Sequence, residues 1–167
     1  DKILHNKRMR YKNMRRKDRE ISSREEIIKI IREEGICRLA IKDEPYPYIV
    51  PMNYGIEIDG EQINLYFHSA MEGRKIDLIK KDNKVCFEID RNQGLVYDTK
   101  KGSCSMLYEC VIGNGEIVFL DGDEKIKALR LILQHHGRGE DFPISETMVE
   151  KTICFKLVVN EVTGKKH

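Results

Sequence analysis

From Cys37 onward the chain repeatedly alternates apolar with polar residues, a period of two that suits a strand with one face in a core. Cys37, Leu39 and Ile41 form the first apolar row, and Arg38 and Lys42 lie on the opposite side. Similar rows recur along the chain with turn residues between them. We therefore expect a mainly β fold.

The later rows predict five more extended segments, over residues 48–58, 62–68, 85–89, 106–120 and 153–159. Proline has no amide donor, so Pro51 should interrupt the first of these segments or place it at a sheet edge. Asp59-Gly60 predicts a hairpin turn. Gly113-Asn114-Gly115 predicts a bulge or a sharp bend.

Three helices are predicted beside the strands. Ser22-Ser23 precedes two glutamates and the apolar stripe of Ile27, Ile28 and Ile31, which is typical of a helix start, and Gly35 ends that helix. A short helix should follow over 73–81 and a longer one over 121–136, with a loop over 138–146. Antiparallel strands with a few outer helices favour a closed or nearly closed β-barrel over a doubly wound sheet.

Charge divides the chain unevenly. Residues 1–19 carry nine Lys or Arg and two Asp, a net charge of +7, whereas the remainder carries 21 basic and 26 acidic groups, a net charge of −5. We interpret residues 1–19 as a basic N-terminal arm and residues 20–167 as a single domain, since 167 residues suit one core. A basic block of this kind is more often solvated than bound to nucleic acid.

The composition also limits location and metal content. No apolar run approaches the roughly 20 residues that span a bilayer, and the N-terminus lacks an apolar signal core, so we expect a soluble cytoplasmic protein. The five cysteines have no zinc-ligand spacing, so no metal is expected, and reduced, mostly buried thiols are the simplest interpretation.

Residues 66–75, Tyr-Phe-His-Ser-Ala-Met-Glu-Gly-Arg-Lys, leave a strand and open a helix with two cations. A helix N-terminus prefers Asp or Glu by about 0.3–1 kcal/mol, so cations there suggest a bound anion. The Ser69 hydroxyl, the Arg74 guanidinium and the Lys75 ammonium together suit a phosphate. Alternatively, both cations project into water or pair with Glu72 and Asp77.

His68 should share a strand face with Tyr66 and oppose Phe67. A histidine there either contacts a cofactor or substrate, or is a hydrogen-bonded structural residue. His135-His136 ends the third helix, where imidazole suits the helix dipole, and could otherwise ligate an iron. The residue pattern leaves these alternatives open.

The run YFHSAMEGRKIDLIKKDNKVCFEID at Tyr66 resembles the strand, phosphate loop, helix and strand of flavin-binding split barrels. Three other segments resemble the same family in the same order: MRRKDREI at Met14, PYIVPMNYG at Pro47 and CSMLYECVIGNGEI at Cys104. The chain thus resembles the pyridoxamine 5′-phosphate oxidase superfamily, close to its nitroimidazole-resistance branch. The resemblance implies an antiparallel Greek-key, FMN-binding split β-barrel with flanking helices.

The resemblance also implies a site. Arg74, Lys75 and Ser69 would hold the FMN phosphate, and Phe67 and His68 would line the ribityl and ring region, with His68 as the catalytic candidate. The isoalloxazine edge would meet backbone groups of Val50, Pro51, Met52 and Asn53. In a homodimer with flavin at the interface, Tyr108 would reach the site from the second subunit. FAD is a possible substitute for FMN, and haem is less expected.

The chain departs from true pyridoxamine phosphate oxidases, because it has no tryptophan and its tail 159–167 lacks their substrate-gripping Arg/His pattern. Vitamin B6 chemistry is therefore not expected. The resemblance implies an oxidoreductase that passes electrons from reduced flavin to a small planar acceptor such as a 5-nitroimidazole. The alternative is a non-catalytic flavin-binding or haem-binding protein.

Overall fold

A computed structural model describes residues 14–139 and 141–167. Within them lie eight strands: β1 (Glu20–Ile21), β2 (Ile36–Ile41), β3 (Tyr48–Asn53), β4 (Gly55–Asp59), β5 (Gln62–Ala70), β6 (Lys84–Asp98), β7 (Ser103–Leu120) and β8 (Thr152–Lys166). The helices are α1 (Arg24–Glu33), α2 (Arg74–Lys81), α3 (Gly122–His135) and α4 (Glu146–Glu150), and a 3-10 turn covers Lys17–Arg19.

All eight strands belong to one sheet. Its hydrogen-bonded neighbours follow the order β3-β2-β6-β7-β8-β5-β4, and β1 pairs with β8. Every pairing is antiparallel. The sheet curves around a core but does not close, since β3 and β4 remain its two ends. The mainly β, split-barrel prediction is confirmed, with the barrel open rather than closed.

The core lies on the concave side of the sheet. Cys37, Leu39 and Ile41 are buried there as predicted, as are Phe67 and Phe155, whose rings stack 5.4 Å apart. The apolar stripe of α1 covers one end of this core, and the Tyr54 hydroxyl donates a hydrogen bond to the Ile31 carbonyl over 2.6 Å.

The opposite side of β3, β2, β6 and β7 carries no covering helix among the described residues. We call it the outer face, and it includes Ile36, Arg38, Ile49, Pro51, Glu88 and Ile112. Cross-strand partners share a face, so the pairs Arg38–Pro51, Arg38–Glu88 and Glu88–Ile112 define it. Arg38 Nη1 lies 3.0 Å from a Glu88 oxygen and 2.5 Å from an Asp90 oxygen.

Helix α3 packs on the other wall of the barrel, against β4 and β5. Tyr66, Ala128, Leu129 and Ile132 belong to a second buried cluster there. A Cβ at Gly55 would come within 2.6 Å of the Ile132 nitrogen, so only glycine lets the helix lie this close to β4.

The predicted helices and strands are present, with some differences in extent. Segment 48–58 consists of two strands, and Pro51 lies in the edge strand β3 as predicted. The bulge predicted near Gly113 appears as a register shift between Asn114 and Gly115. Strands β6 and β8 extend further than their apolar rows, and the short helix α4, which begins at the end of the predicted loop, has no counterpart in the sequence prediction. No helix in the described ranges is long and apolar enough to cross a membrane.

Candidate functional site

The sheet opens where β3 and the end of β5 diverge. Pairing of β5 with β4 stops at Tyr66, while pairing of β5 with β8 continues to Ala70. Strand β3 pairs with β2 alone among the described strands. Residues 48–53 and 67–70 therefore each present a strand edge without a partner, and we call the space between these edges the split gap. Such edges offer backbone donors and acceptors to a ligand.

The four β3 residues predicted at this site divide between two sides. Met52 is buried and Val50 is half-buried, and both pack against the core. Pro51 and Asn53 are exposed on the outer face, where the Asn53 side-chain amide donates to the Gly35 carbonyl over 3.0 Å. All four residues belong to the β3 backbone edge that borders the split gap.

On the β5 side, Phe67 and Ser69 point into the core, while His68 points outward. The Phe67 ring is fully buried, so its backbone alone can border the split gap. Ser69 is 8% exposed, and its hydroxyl oxygen is buried with no hydrogen-bond partner among the described residues. Leaving a buried polar group unpaired costs about 1–3 kcal/mol, which a polar ligand atom would offset.

Helix α2 begins four residues after β5. Its N-cap is Gly73 at φ 140°, and no side chain of the described residues caps the first turn. The cations Arg74 and Lys75 thus stand beside uncapped amides. This combination suits an anion, because the amides and both side chains all carry positive charge.

Arg74 does not pair with Glu72 or Asp77. Its Nη2 lies 2.6 Å from an Asp43 carboxylate oxygen, and its guanidinium lies 4.6 Å above the Tyr48 ring. These contacts connect the start of α2 to the start of β3, across the mouth of the split gap. The hydrogen bond from Arg74 lowers the pKa of Asp43. Lys75 forms no ion pair within the described residues.

His68 is exposed overall, but partial burial of its imidazole lowers its pKa, and the charges of His136 and Lys75 lower it further. The pKa of His136 is likewise lowered, chiefly by burial and then by His135. Burial thus favours the neutral form of both imidazoles, in which one ring nitrogen donates and the other accepts.

His135 has a structural contact. Its Nε2 donates to the Glu34 carbonyl over 2.6 Å, and its ring lies 4.6 Å from that of Tyr54. With Nε2 engaged in this way, the structural interpretation suits His135 better than iron ligation does.

Tyr108 does not join this set within one chain. It lies at the outer side of β7, with Lys165 5.8 Å from its ring, and β2 and β6 separate β7 from β3. Hydrogen bonds from Arg19 and Lys165 lower the pKa of its hydroxyl.

The structure adds Asp43, Tyr48 and His136 to the residues that the sequence singled out for this site. In the sequence, Asp43 lies between the first two predicted extended segments and Tyr48 begins the second, and neither position points to a partner in α2. His136 was noted as a helix end or an iron ligand, without a connection to His68.

Comparison with known proteins places the chain in a broader context. The model of the protein family described as pyridoxamine 5′-phosphate oxidase matches residues 23–166 of this chain. A solved structure from Bacteroides thetaiotaomicron, named for 5-nitroimidazole antibiotic resistance, is 34% identical, has a TM-score of 0.78, and is matched over 88% of this chain and 86% of that one. None of the curated protein sequences matches the chain.

Two more distant structures share the fold. The flavocytochrome Anf3 from Azotobacter vinelandii has a TM-score of 0.76 at 17% identity, over 93% of this chain and 72% of that one. The FAD and heme binding protein from Mycobacterium smegmatis has a TM-score of 0.76 at 15% identity, over 89% and 73%.

Proposed function

The chain belongs to the pyridoxamine 5′-phosphate oxidase family, and we propose that it binds FMN in the split gap and uses the reduced flavin to donate electrons to a small nitro-aromatic acceptor. The observation that carries the proposal is the buried Ser69 hydroxyl, followed by the helix start that bears Arg74 and Lys75; neither the hydroxyl nor the helix start has a side-chain partner in the part of the chain that the structure describes. This donor set fits a phosphate monoester.

At the phosphate end, Arg74 would supply a planar fork of donors and Lys75 a point charge. Asp43 holds the guanidinium over Tyr48 before any ligand arrives, which reduces the ordering cost of binding. The Arg74 Nη1 group makes no hydrogen bond within the described ranges and remains free to contact a phosphate oxygen.

At the ring end, the free backbone edge of Val50, Pro51, Met52 and Asn53 would match the donors and acceptors along an isoalloxazine edge. Bound flavin supplies the electron transfer, and the protein supplies orientation and exclusion of water. His68, on the β5 side of the split gap, would hold or donate a proton at a ring nitrogen, and partial burial lowers the pKa of its imidazole.

We further propose a homodimer in which the flavin lies at the interface and Tyr108 of the partner subunit completes the site. Support comes from the outer face, where Ile36, Ile49 and Ile112 are large apolar side chains exposed in the single chain. The nitro-aromatic acceptor is proposed from the relative named for 5-nitroimidazole resistance, at 34% identity.

Titration of FMN into apoprotein tests the phosphate site. Arg74→Ala should weaken binding by ten- to more than a hundredfold, since charge-assisted bonds contribute about 1.5–3 kcal/mol. Arg74→Lys should recover part of the loss, and His68→Ala should retain flavin. Lys80→Ala, a cation at the other end of α2, is the matched control and should bind as wild type does. Wild-type affinity in Arg74→Ala would place the phosphate elsewhere.

Anaerobic mixing of the reduced flavoprotein with a 5-nitroimidazole tests the electron acceptor. Reoxidation of the flavin, with reduction of the nitro group, supports the oxidoreductase. A stable flavin complex that is not reoxidised would instead support the non-catalytic flavin-binding alternative. Parallel titrations with FAD decide between the two flavins, and a Soret band in purified protein would indicate haem.

A further inference from the structure

Basic side chains surround Tyr108 beside the far end of β8. The Arg19 Nη2 group lies 3.3 Å from His167 Nε2, and Lys165 Nζ lies 5.8 Å from the centre of the Tyr108 ring. The His167 amide donates a hydrogen bond to the Tyr108 carbonyl over 2.9 Å, which holds residue 167 beside β7. We call Arg19, Tyr108, Lys165 and His167 the basic cluster.

Three strands bring the basic cluster together. Lys165 of β8 lies opposite Glu20 of β1 on one side and opposite Cys110 of β7 on the other. Arg19 directly precedes Glu20, and Tyr108 lies two residues before Cys110, on the same face of β7. Backbone pairing therefore fixes where these side chains start, which reduces the ordering cost of binding a ligand between them.

The positive charges of Arg19 and Lys165 are not balanced by ion pairs within residues 14–139 and 141–167. Three neighbouring carboxylates are already engaged by other cations, in the pairs Arg16–Asp18, Arg38–Asp90 and Lys166–Glu26. Glu20 lies opposite Lys165 in register, yet these two side chains form no ion pair in the described structure. Two cations thus face one another's vicinity with free donors, an arrangement that an anion would stabilise.

The Arg19 guanidinium is also incompletely hydrogen-bonded. Its Nε is buried and has no hydrogen-bond partner among the described residues, although the side chain as a whole is only half-buried. A buried donor without an acceptor costs free energy, and the cost is larger for a charged group. A small rotation of the guanidinium toward an anion would give Nε an acceptor and remove this cost.

We propose that Arg19 and Lys165, beside the Tyr108 hydroxyl, form a second anion site that binds a phosphate group other than that of the flavin. A guanidinium fork, an ammonium and a phenol together match the several acceptor oxygens of phosphate. Within one chain this site is separate from Arg74, because β5 ends opposite Thr152, at the start of β8, whereas Lys165 lies near the other end of β8.

Calorimetric titration of inorganic phosphate into Arg74→Ala protein, in chloride buffer at constant ionic strength, tests the basic cluster without the first anion site. Adding Arg19→Gln and Lys165→Gln should weaken phosphate binding by about tenfold or more, since charge-assisted bonds are lost. The matched control adds Lys84→Gln and Lys100→Gln, two exposed lysines elsewhere, and should stay within about twofold. Equal phosphate affinity of these two variants, or no phosphate binding by Arg74→Ala itself, would overturn the proposal.

Unmodified protein provides a second test that does not depend on a variant folding. Hydrogen bonds from Arg19 and Lys165 lower the pKa of the Tyr108 hydroxyl. Bound phosphate would offset the charge of both cations, so that pKa should rise when phosphate replaces chloride at equal ionic strength. NMR titration of the labelled tyrosine rings measures the change. A Tyr108 pKa that is the same in both salts would overturn the proposal.

Wild type saturated with FMN separates this inference from the proposed function. It should still bind inorganic phosphate, because the flavin phosphate would occupy the site at Arg74. Loss of phosphate binding on saturation with FMN would assign the basic cluster to the flavin phosphate and overturn the second site. Wild type that fails to bind FMN contradicts the flavin proposal instead, while the phosphate titration of Arg74→Ala protein still decides the second site.

Discussion

Ser69 has opposite expected effects on apoprotein stability and on ligand affinity. Its hydroxyl is buried without a partner among residues 14–139 and 141–167, so Ser69→Ala should raise the free energy of unfolding of the apoprotein, by about 1 kcal/mol. The same change should weaken FMN binding if the hydroxyl contacts the phosphate. Urea unfolding and FMN titration measure the two effects, and Ser103→Ala, at an exposed position, is the control. An unchanged FMN affinity would remove Ser69 from the site.

His68 and His136 should titrate as an interacting pair. Charge on His136 lowers the pKa of His68, so His136→Gln should raise that pKa. The rise should be partial, because burial is the largest cause of the lowering and the charge of Lys75 still lowers the pKa. NMR titration of the His68 imidazole measures it. His167→Gln, beside Tyr108, should have no effect. A His68 pKa that is equal in wild type and His136→Gln would show that the two rings are not coupled.

Among the elements, α3 depends on a close approach to β4 at Gly55. A Cβ at this position would lie 2.6 Å from backbone atoms of Leu131 and Ile132, so Gly55→Ala must displace the helix. Overpacking of this kind costs about 1–3 kcal/mol of unfolding free energy. Gly139→Ala is the control, because no atom of the described residues beyond its chain neighbours lies within 4 Å of the added Cβ. Equal stability of the two variants in urea would mean that α3 shifts without cost.

The elements also differ in how well local patterns specify them. Helix α1 was predictable because Ser23 caps it, accepting a hydrogen bond from the Glu26 amide, and an apolar stripe follows. Helix α4 spans five residues and buries none of them, so it has no periodic signal. Strand β6 extends to Asp98 because β7 pairs with it, although its outer half has no buried row.

For the molecule as a whole, we predict that the basic segment 1–13 is dispensable for FMN binding. These residues lie outside the described part of the chain. The residues that follow them lead to β1, which pairs with the end of β8, and Arg19 contacts His167. Deletion of 1–13 should change FMN affinity by less than tenfold. A larger loss, above about 1.4 kcal/mol, would mean that this segment reaches the site.

The sequence by itself determined the features that depend on near neighbours. Alternation identified the buried face of β2, Asp59-Gly60 marked the β4–β5 hairpin, and the unusual cations at the start of α2 marked a candidate anion site. Each of these signals is a period, a cap or a turn, and such signals act over a few residues of chain.

Tertiary structure alone decided the rest. Asp43 meets Arg74 across 31 positions of sequence, and the charge of His136, at the end of α3, lowers the pKa of His68 on β5. The apolar side of the β6–β7 hairpin beyond Asn92, which carries Leu95, Tyr97 and Met106, was equally hidden, since the bulge after Asn92 exchanges the two faces. These outcomes depend on which distant elements are neighbours and in which register they pair. A local period carries no information about either, because the same alternation is compatible with several partners and with both faces.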